Sequence, residues 1–141
     1  QNAVFTSALD SMLADTAAIV SHCGPYSSDE MPGLMAEIDW VVIPSIWWEN
    51  APLVIQEAFQ HRRPPIVSGI GGMAEMVRDG VDGLHVRPGD PAALAAALRR
   101  AMDETGLWQR LVHGIPEQPS LAECAHRHLA LFDSLKLAEA A

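Results

Sequence analysis

Two glutamates stand eight positions apart in the stretch PSIWWENAPLVIQEAF, residues 44–59. Glu49 precedes a helix-like run, and Glu57 lies about two turns inside that run. An ionised carboxylate accepts hydrogen bonds through two oxygens, so it can take a pair of them from vicinal hydroxyl groups such as those of a sugar. Either glutamate alone would more often be a solvated surface residue, so the segment between them decides how the pair is interpreted.

The segment between the glutamates predicts an anion-binding helix N-terminus. A helix is expected to begin at about Ala51, with Asn50 as its N-cap and Pro52 in its first turn. The first N–H groups of a helix have no acceptor within it, and the helix dipole adds partial positive charge there. We therefore expect an anion site formed by the N–H groups of Ala51, Leu53 and Val54. The alternative is that Asn50 only caps the helix and the loop only turns.

A second candidate loop is SGIGG, residues 68–72, which contains three glycines. Glycine lets a backbone approach a ligand closely, so Gly71 and Gly72 are candidate contacts. The loop is not a dinucleotide-binding fingerprint, because it follows a late strand and no acidic residue ends a strand about 20 positions later. The chain has no Gly-Lys-Ser/Thr sequence, which excludes a phosphate-binding P-loop.

Strand-like and helix-like runs alternate along the chain, and this alternation predicts an α/β fold. We expect a partial Rossmann-like domain with a mainly parallel sheet of about four strands and helices on both faces. The run at 39–45 is continuously apolar, which is typical of a strand buried on both faces. A single domain is expected over residues 1–141, with C-terminal helices in 104–141. The predicted strands are 17–23, 39–45, 64–69 and 83–86, and the predicted helices are 3–14, 28–38, 50–60, part of 70–80, 91–102 and 120–137.

Two helix starts carry clear capping signals. Asp90 is the expected N-cap of the helix that begins at Pro91. Ser120 and Glu123 form the spacing of a capping box for the last helix. In an open parallel sheet, ligands bind beyond the carboxyl ends of the strands. The loops that follow the strands are therefore the expected place for a site.

The motifs in these loops resemble those of retaining glycosyltransferases of the GT-B kind, which have two Rossmann domains. The resemblance covers roughly residues 18–103, and the large family that includes bacterial mannosyl- and glucosyltransferases of surface-polysaccharide synthesis is the most similar. The combination is much more specific than any one motif. In chain order the motifs are Glu49 with Glu57, Gly71-Gly72 with Glu75, and Asp79-Gly80 with Gly83-Leu84.

The resemblance implies a role for each candidate residue. Glu57 would bind the ribose hydroxyls of a nucleotide diphosphate sugar. Glu49 would be the catalytic residue, which positions the donor sugar and helps to stabilise the transition state. The other donor contacts implied are the helix N-terminus at Ala51, Leu53 and Val54 for the distal phosphate, Gly71 and Gly72 for the sugar diphosphate, and Pro25 and Tyr26 beside the base.

The implied reaction transfers a hexose from a nucleotide diphosphate sugar to a polysaccharide or lipid acceptor with retention, and it uses no metal or other cofactor. We find no counterpart in the sequence for the family's acceptor-binding N-terminal domain or for the basic residues that clamp the diphosphate. The chain alone is therefore expected to be inactive. Arg62 stands where the family usually has glycine, so we expect a positive φ there, which costs a non-glycine residue about 1 kcal/mol of conformational energy.

The resemblance also bears on assembly. Without the family's first two strands, the sheet is expected to rearrange or to be covered at its edge by a second copy of the chain, as a homodimer. Two alternatives to the interpretation as an enzyme remain: a non-catalytic nucleotide- or carbohydrate-binding module, and a structural fragment that assembles through its sheet edge.

Charge and hydropathy limit the partners. The net charge of −9 argues against a nucleic-acid partner. No apolar run is long enough to span a membrane, and the first residues do not resemble a signal peptide, so we expect a cytoplasmic location. Peripheral membrane association would depend on the missing part of the family's fold. The histidines and cysteines lack metal-ligand spacing, so no metal site is expected.

Overall fold

The computed structural model describes residues 3–139. The chain divides into two compact units, which meet between Met31 and Pro32. Each unit is described by itself.

The first unit contains one regular element, helix α1 (Ala3–Asp15), which confirms the predicted helix. The chain then turns, because Thr16 donates from both its N–H and its hydroxyl to the carbonyl of Met12. The predicted strand at 17–23 is wrong: no strand forms among residues 3–31. A strand is stabilised by a hydrogen-bonded neighbour, and this segment pairs with no strand among residues 3–139; its apolar side chain Ile19 is exposed.

The second unit is built around a parallel three-stranded sheet, which confirms the α/β fold with one strand fewer than expected. Its strands lie in the order β1 (Val41–Ile43), β2 (Pro65–Ser68) and β3 (Leu84–Val86). Val42 pairs with Ile66, and Ile66 in turn pairs with Leu84. The helices are α2 (Met31–Ala36), which starts at the unit boundary, α3 (Leu53–Gln60), α4 (Gly71–Met76), α5 (Pro91–Asp103), α6 (Leu107–Gly114) and α7 (Leu121–Glu139).

Helices cover both faces of this sheet, as predicted. Neighbouring residues of β2 point to opposite faces, so Val67 and Ile66 belong to different core clusters. Val67 packs with α3 and α4, and Ile66 packs with α5 and α6. The first cluster contains Ile55, Phe59, Val67, Met73, Val77 and Ile115; the second contains Ile66, Leu84, Val86, Leu107 and Leu111.

Strand β1 is open on its outer side. Among the described residues β1 pairs with β2 alone, and Val42 is 39% exposed while Val41 is buried. The prediction that this run is buried on both faces is therefore wrong. Its continuous apolar pattern is typical of an interior strand, but burial on both faces also needs a further strand and the helix that would follow it.

Local signals at the helix ends are confirmed in two places. The Asp90 carboxylate accepts hydrogen bonds from the N–H groups of Ala92 and Ala93, both at 3.0 Å, and Pro91 opens α5. Ser120 and Glu123 form the reciprocal capping box of α7.

Arg62 has the expected positive φ, at 56°. Its guanidinium donates to the carbonyls of Val112 and Ile115 at the end of α6, at 2.9 and 2.8 Å. These contacts help to hold a left-handed conformation that a non-glycine residue adopts at a cost.

No helix within residues 3–139 is long and apolar enough to cross a membrane.

Candidate functional site

The carboxyl ends of the three strands lie at the same end of the sheet, because the strands are parallel. Beyond that end lie the segments 44–52, 69–70 and 87–90. The β2 and β3 segments are tied together where Gly69 donates to the carbonyl of Val86, at 2.9 Å. Residues 44–60 contain two carboxylates and no lysine or arginine, so this stretch itself contributes positive charge only through its backbone N–H groups.

Glu49 is held by its backbone on both sides. Its N–H donates to the carbonyl of Trp47 at 3.0 Å, and its own carbonyl accepts from the N–H of Gly72 at 2.6 Å. The loop is tightened further because the Ser45 hydroxyl accepts from the N–H of Trp47. The Glu49 side chain is exposed, and its carboxylate has no hydrogen bond or ion pair within the described part of the chain. A fixed backbone therefore presents an unpaired carboxylate to solvent.

Helix α3 begins at Leu53, two residues later than expected, and Pro52 occupies the N-cap position without a side-chain cap. The predictions that Asn50 caps this helix and that it starts near Ala51 are therefore wrong. A residue before proline is disfavoured in the helical region, which keeps Ala51 out of the helix, and Pro52 itself is extended, with a ψ of 118°. Proline has no side-chain acceptor with which to cap the helix.

The later start changes which N–H groups can meet an anion. Leu53 and Val54 open the first turn, where the helix supplies no acceptor. The Ile55 N–H already donates to the carbonyl of Pro52, at 3.1 Å. Ala51 lies in the loop, outside the helix. The Leu53 side chain is 68% exposed, which leaves the helix end open to solvent.

Glu57 lies on α3 between buried neighbours. Ile55 and Ala58 are fully buried and pack α3 onto the sheet, and Glu57 is half-buried beside them. Its carboxylate also has no hydrogen bond or ion pair among residues 3–139. Two carboxylates without partners thus flank the N-terminal turn of one helix.

The glycine turn contacts the loop that carries Glu49. A Cβ added to Gly72 would lie 1.6 Å from the carbonyl oxygen of Asn50, so no other residue fits without moving that backbone. Gly71 has a φ of +52°, and a Cβ there would lie 3.0 Å from the Glu49 carbonyl and 3.3 Å from Cε3 of Trp48. The glycines therefore have a packing role against the chain itself, in addition to the contact with a ligand that the sequence suggests.

The remaining predicted contacts lie elsewhere in the chain. Pro25 and Tyr26 belong to the first unit, where the Tyr26 side chain is exposed. The structure brings Glu49, Gly71 and Gly72 together, with the first turn of α3 following Glu49 along the chain.

One contact was missed from sequence. The Asn50 carbonyl packs on Gly72, and a backbone atom leaves no side-chain signal except the glycine that it requires.

The described residues contain no group of three histidine, cysteine or acidic side chains arranged to hold a metal ion.

Comparison with known families and curated proteins gives consistent matches. The family described as "Glycosyl transferases group 1" matches residues 5–104. A D-inositol 3-phosphate glycosyltransferase of Nocardioides sp. is 33% identical over 125 residues, which cover 89% of this chain and 27% of that protein. A glycogen synthase of Mycobacterium tuberculosis is 37% identical over 87 residues, which cover 62% of this chain and 21% of that protein. The chain thus spans well under two thirds of the length of these relatives.

Solved structures agree with the fold. Alr3699/HepE of Anabaena, crystallised in complex with UDP and glucose, aligns with a TM-score of 0.71 and 25% identity over 79% of this chain and 30% of that one. Sucrose-phosphate synthase of Thermosynechococcus elongatus aligns with a TM-score of 0.77 over 92% of this chain and 34% of that one. At 23% identity, the second likeness concerns the fold alone.

Proposed function

The chain belongs to the glycosyl transferases group 1 family, and we propose that it forms the donor-binding part of a hexosyltransferase. The whole enzyme would transfer a hexose from a nucleotide diphosphate sugar to a polysaccharide or lipid acceptor, with retention at the anomeric carbon and without a metal. Acceptor binding and turnover are assigned to a longer enzyme that includes this part, and the chain alone is expected to have no transferase activity.

The observation that carries the proposal is the paired arrangement of unpartnered carboxylates around the start of α3. Glu49 precedes the helix, Glu57 lies within it, and the open N–H groups of Leu53 and Val54 lie between them in sequence. Carboxylates suit hydroxyl donors, and a helix N-terminus suits a phosphate. A nucleotide diphosphate sugar carries both kinds of group. The UDP and glucose bound to HepE support this ligand class.

The roles proposed for the residues follow from this chemistry and from the family resemblance. Glu57 binds the ribose hydroxyls, and Glu49 is the catalytic residue against the donor sugar. The N–H groups of Leu53 and Val54, with Ala51 in the loop before them, face the distal phosphate. The glycine turn at Gly71 and Gly72 lies near the sugar diphosphate, and Pro25 and Tyr26 flank the base.

A ligand-observed NMR screen of this chain tests the proposal with UDP, GDP, ADP and their hexose conjugates. One base should be preferred, and Glu57→Ala should weaken its binding about tenfold or more, since a hydrogen bond to a charged group contributes about 1.5–3 kcal/mol. Glu37→Ala is the matched control. Glu37 is an exposed carboxylate that precedes β1 on its amino-terminal side, whereas the candidate site lies beyond the carboxyl end of that strand, so its loss should leave affinity unchanged. The proposal is wrong if no nucleotide binds, or if both variants bind as the wild type does.

The open edge of β1 favours one further candidate, a structural fragment that assembles through this edge as a homodimer. Val42 is exposed on an edge strand whose outer hydrogen-bonding groups have no strand partner among the described residues. Light scattering after size-exclusion chromatography would then give a dimer for the wild type and a monomer for Val42→Lys. Val81→Lys, at an exposed valine in a loop, is the control that should leave the dimer intact. A monomeric wild type rules this candidate out and does not bear on the proposal of nucleotide binding.

A further inference from the structure

The contact between the glycine turn and the Glu49 loop assigns Gly72 a function that goes beyond close approach to a ligand. We propose that Gly72 is a positioning residue for Glu49: it fixes where the Glu49 carboxylate stands relative to the donor sugar. The inference rests on the proposed function, because it takes Glu49 to be the residue that contacts the sugar.

The Gly72 N–H is already used within the protein. It donates to the Glu49 carbonyl at 2.6 Å, so it is not free to donate to a diphosphate while this hydrogen bond is made. The missing side chain is also used, because a Cβ on Gly72 would lie 1.6 Å from the oxygen and 2.4 Å from the carbon of the Asn50 carbonyl. Both properties of this glycine are thus directed at the loop rather than at solvent.

Gly72 is a suitable anchor because it is fixed to the core. It is buried at the start of α4, and the next residue, Met73, is fully buried in the cluster with Val67. The loop on the other side of the contact is different, since Trp47 and Trp48 are 75% and 79% exposed. Among the described contacts, the hydrogen bond to Gly72 is the one that ties the Glu49 backbone directly to the glycine turn.

A side chain at position 72 would therefore move Glu49. An ordinary Cβ contact with a carbonyl oxygen needs at least 3.0 Å and the distance here is 1.6 Å, so the Asn50 carbonyl would have to move away by about 1.4 Å or more. Functional groups must be held within about 0.5 Å of their working geometry, and a misplacement of about 1 Å can cost about 100-fold in rate. The effect should appear in the part of the affinity that Glu49 contributes.

The test compares the affinity for a nucleoside diphosphate with that for its hexose conjugate, and uses the ratio as the gain that the sugar provides. In Gly72→Ala this gain should fall about tenfold, beyond any change in the affinity for the nucleoside diphosphate alone, which the ratio removes. The matched control is Gly69→Ala in the same turn, where a Cβ would meet His85 at an ordinary 3.5 Å. Thermal unfolding of both variants shows whether they remain folded.

A double-mutant cycle separates positioning of Glu49 from direct contact with the diphosphate. If Gly72 acts through Glu49, Gly72→Ala should cause no further loss of the sugar gain in a Glu49→Ala background. Additive losses in the two variants overturn the inference, and so does a Gly72→Ala variant that keeps the full gain.

A measurement on the wild type covers the cases in which Gly72→Ala does not fold or no nucleotide binds. NMR should detect a scalar coupling across the hydrogen bond between the Gly72 amide nitrogen and the Glu49 carbonyl carbon. Absence of the coupling overturns the inference whatever binds. A present coupling in a chain that binds no nucleotide supports the loop contact and refutes the proposed function, so the two failures are distinguishable.

Discussion

Replacing Asp82 by alanine should destabilise this chain strongly, although the residue is distant in sequence from the Glu49 loop. The Asp82 side chain is 1% exposed in the turn between α4 and β3. It accepts hydrogen bonds from the backbone N–H and the Nε of Arg78, at 2.7 and 2.6 Å. Arg78 also donates through Nη2 to the carbonyl of Gly114 at the end of α6. One buried carboxylate therefore closes the turn and orients the arginine that ties it to α6.

The size of the effect follows from these two hydrogen bonds. A hydrogen bond to a charged group contributes about 1.5–3 kcal/mol, and we assign this full range to the bond from the backbone N–H because the carboxylate that accepts it is buried. The bond from Nε is weaker, at about 0.5–1 kcal/mol, because the Arg78 side chain is 58% exposed and solvent screens its charge. Together they give an expected loss of about 3 kcal/mol for Asp82→Ala.

Urea unfolding followed by circular dichroism measures this loss. With a slope of about 1.5 kcal/mol per molar urea, the midpoint should fall by about 2 M. Asp103→Ala, at an exposed carboxylate at the end of α5, should change stability by less than about 0.5 kcal/mol. If Asp82→Ala loses no more than this control, the turn is not held by the carboxylate and the reasoning is refuted.

Two further substitutions test other parts of the unit. The Ser68 hydroxyl is buried without a hydrogen-bond partner in the described structure, so Ser68→Ala should raise the free energy of unfolding by about 1 kcal/mol, and a lowered melting temperature would contradict this. The hydroxyl and then the N–H of Ser120 hold the pKa of Glu123 below its usual 4.5, so Ser120→Ala should raise that pKa in a side-chain NMR titration. Since the folded-state pKa is depressed, the cap stabilises α7 above about pH 4.5, and its contribution disappears as the pH falls through the folded-state pKa. An unchanged Glu123 pKa in the variant would contradict the capping box.

Capping signals were predictable from sequence where neighbouring residues alone decide them. Asp90 is followed by Pro91, which favours helix entry, and Ser120 has its partner three residues later. Asn50 carries an equally good side chain, but Pro52 disfavours a helical Ala51 and is itself extended, so the helix starts at Leu53. The rule that proline restricts the residue before it competes with the capping preference here, and it wins.

Strand formation was less predictable, because it depends on partners that a local pattern does not contain. Residues 64–69 and 17–23 are both short apolar runs closed by glycine. The first run forms β2, since β1 and β3 pair with it on both sides. The second forms no strand and pairs with none in the part of the chain that the structure describes, and Ile19 within it is exposed. A strand-like run therefore forms a strand only where a neighbouring strand can hydrogen-bond to it.

The candidate site combines both kinds of information, and this explains which half of it could be predicted. Carboxylates and glycines are visible in the sequence, so Glu49, Glu57 and the turn at Gly71 were found from their types and spacing. What holds Glu49 in place is a set of backbone groups, its own N–H and carbonyl and the N–H of Gly72. Every residue except proline carries both groups, so they leave no signature of their own in the sequence. They can be detected only indirectly, through a position at which any side chain would collide with them. Gly72 is such a position, because a Cβ there would lie 1.6 Å from the carbonyl oxygen of Asn50. Consecutive glycines that pack against the loop of a candidate site residue can therefore mark the support of a site as well as the path of its ligand.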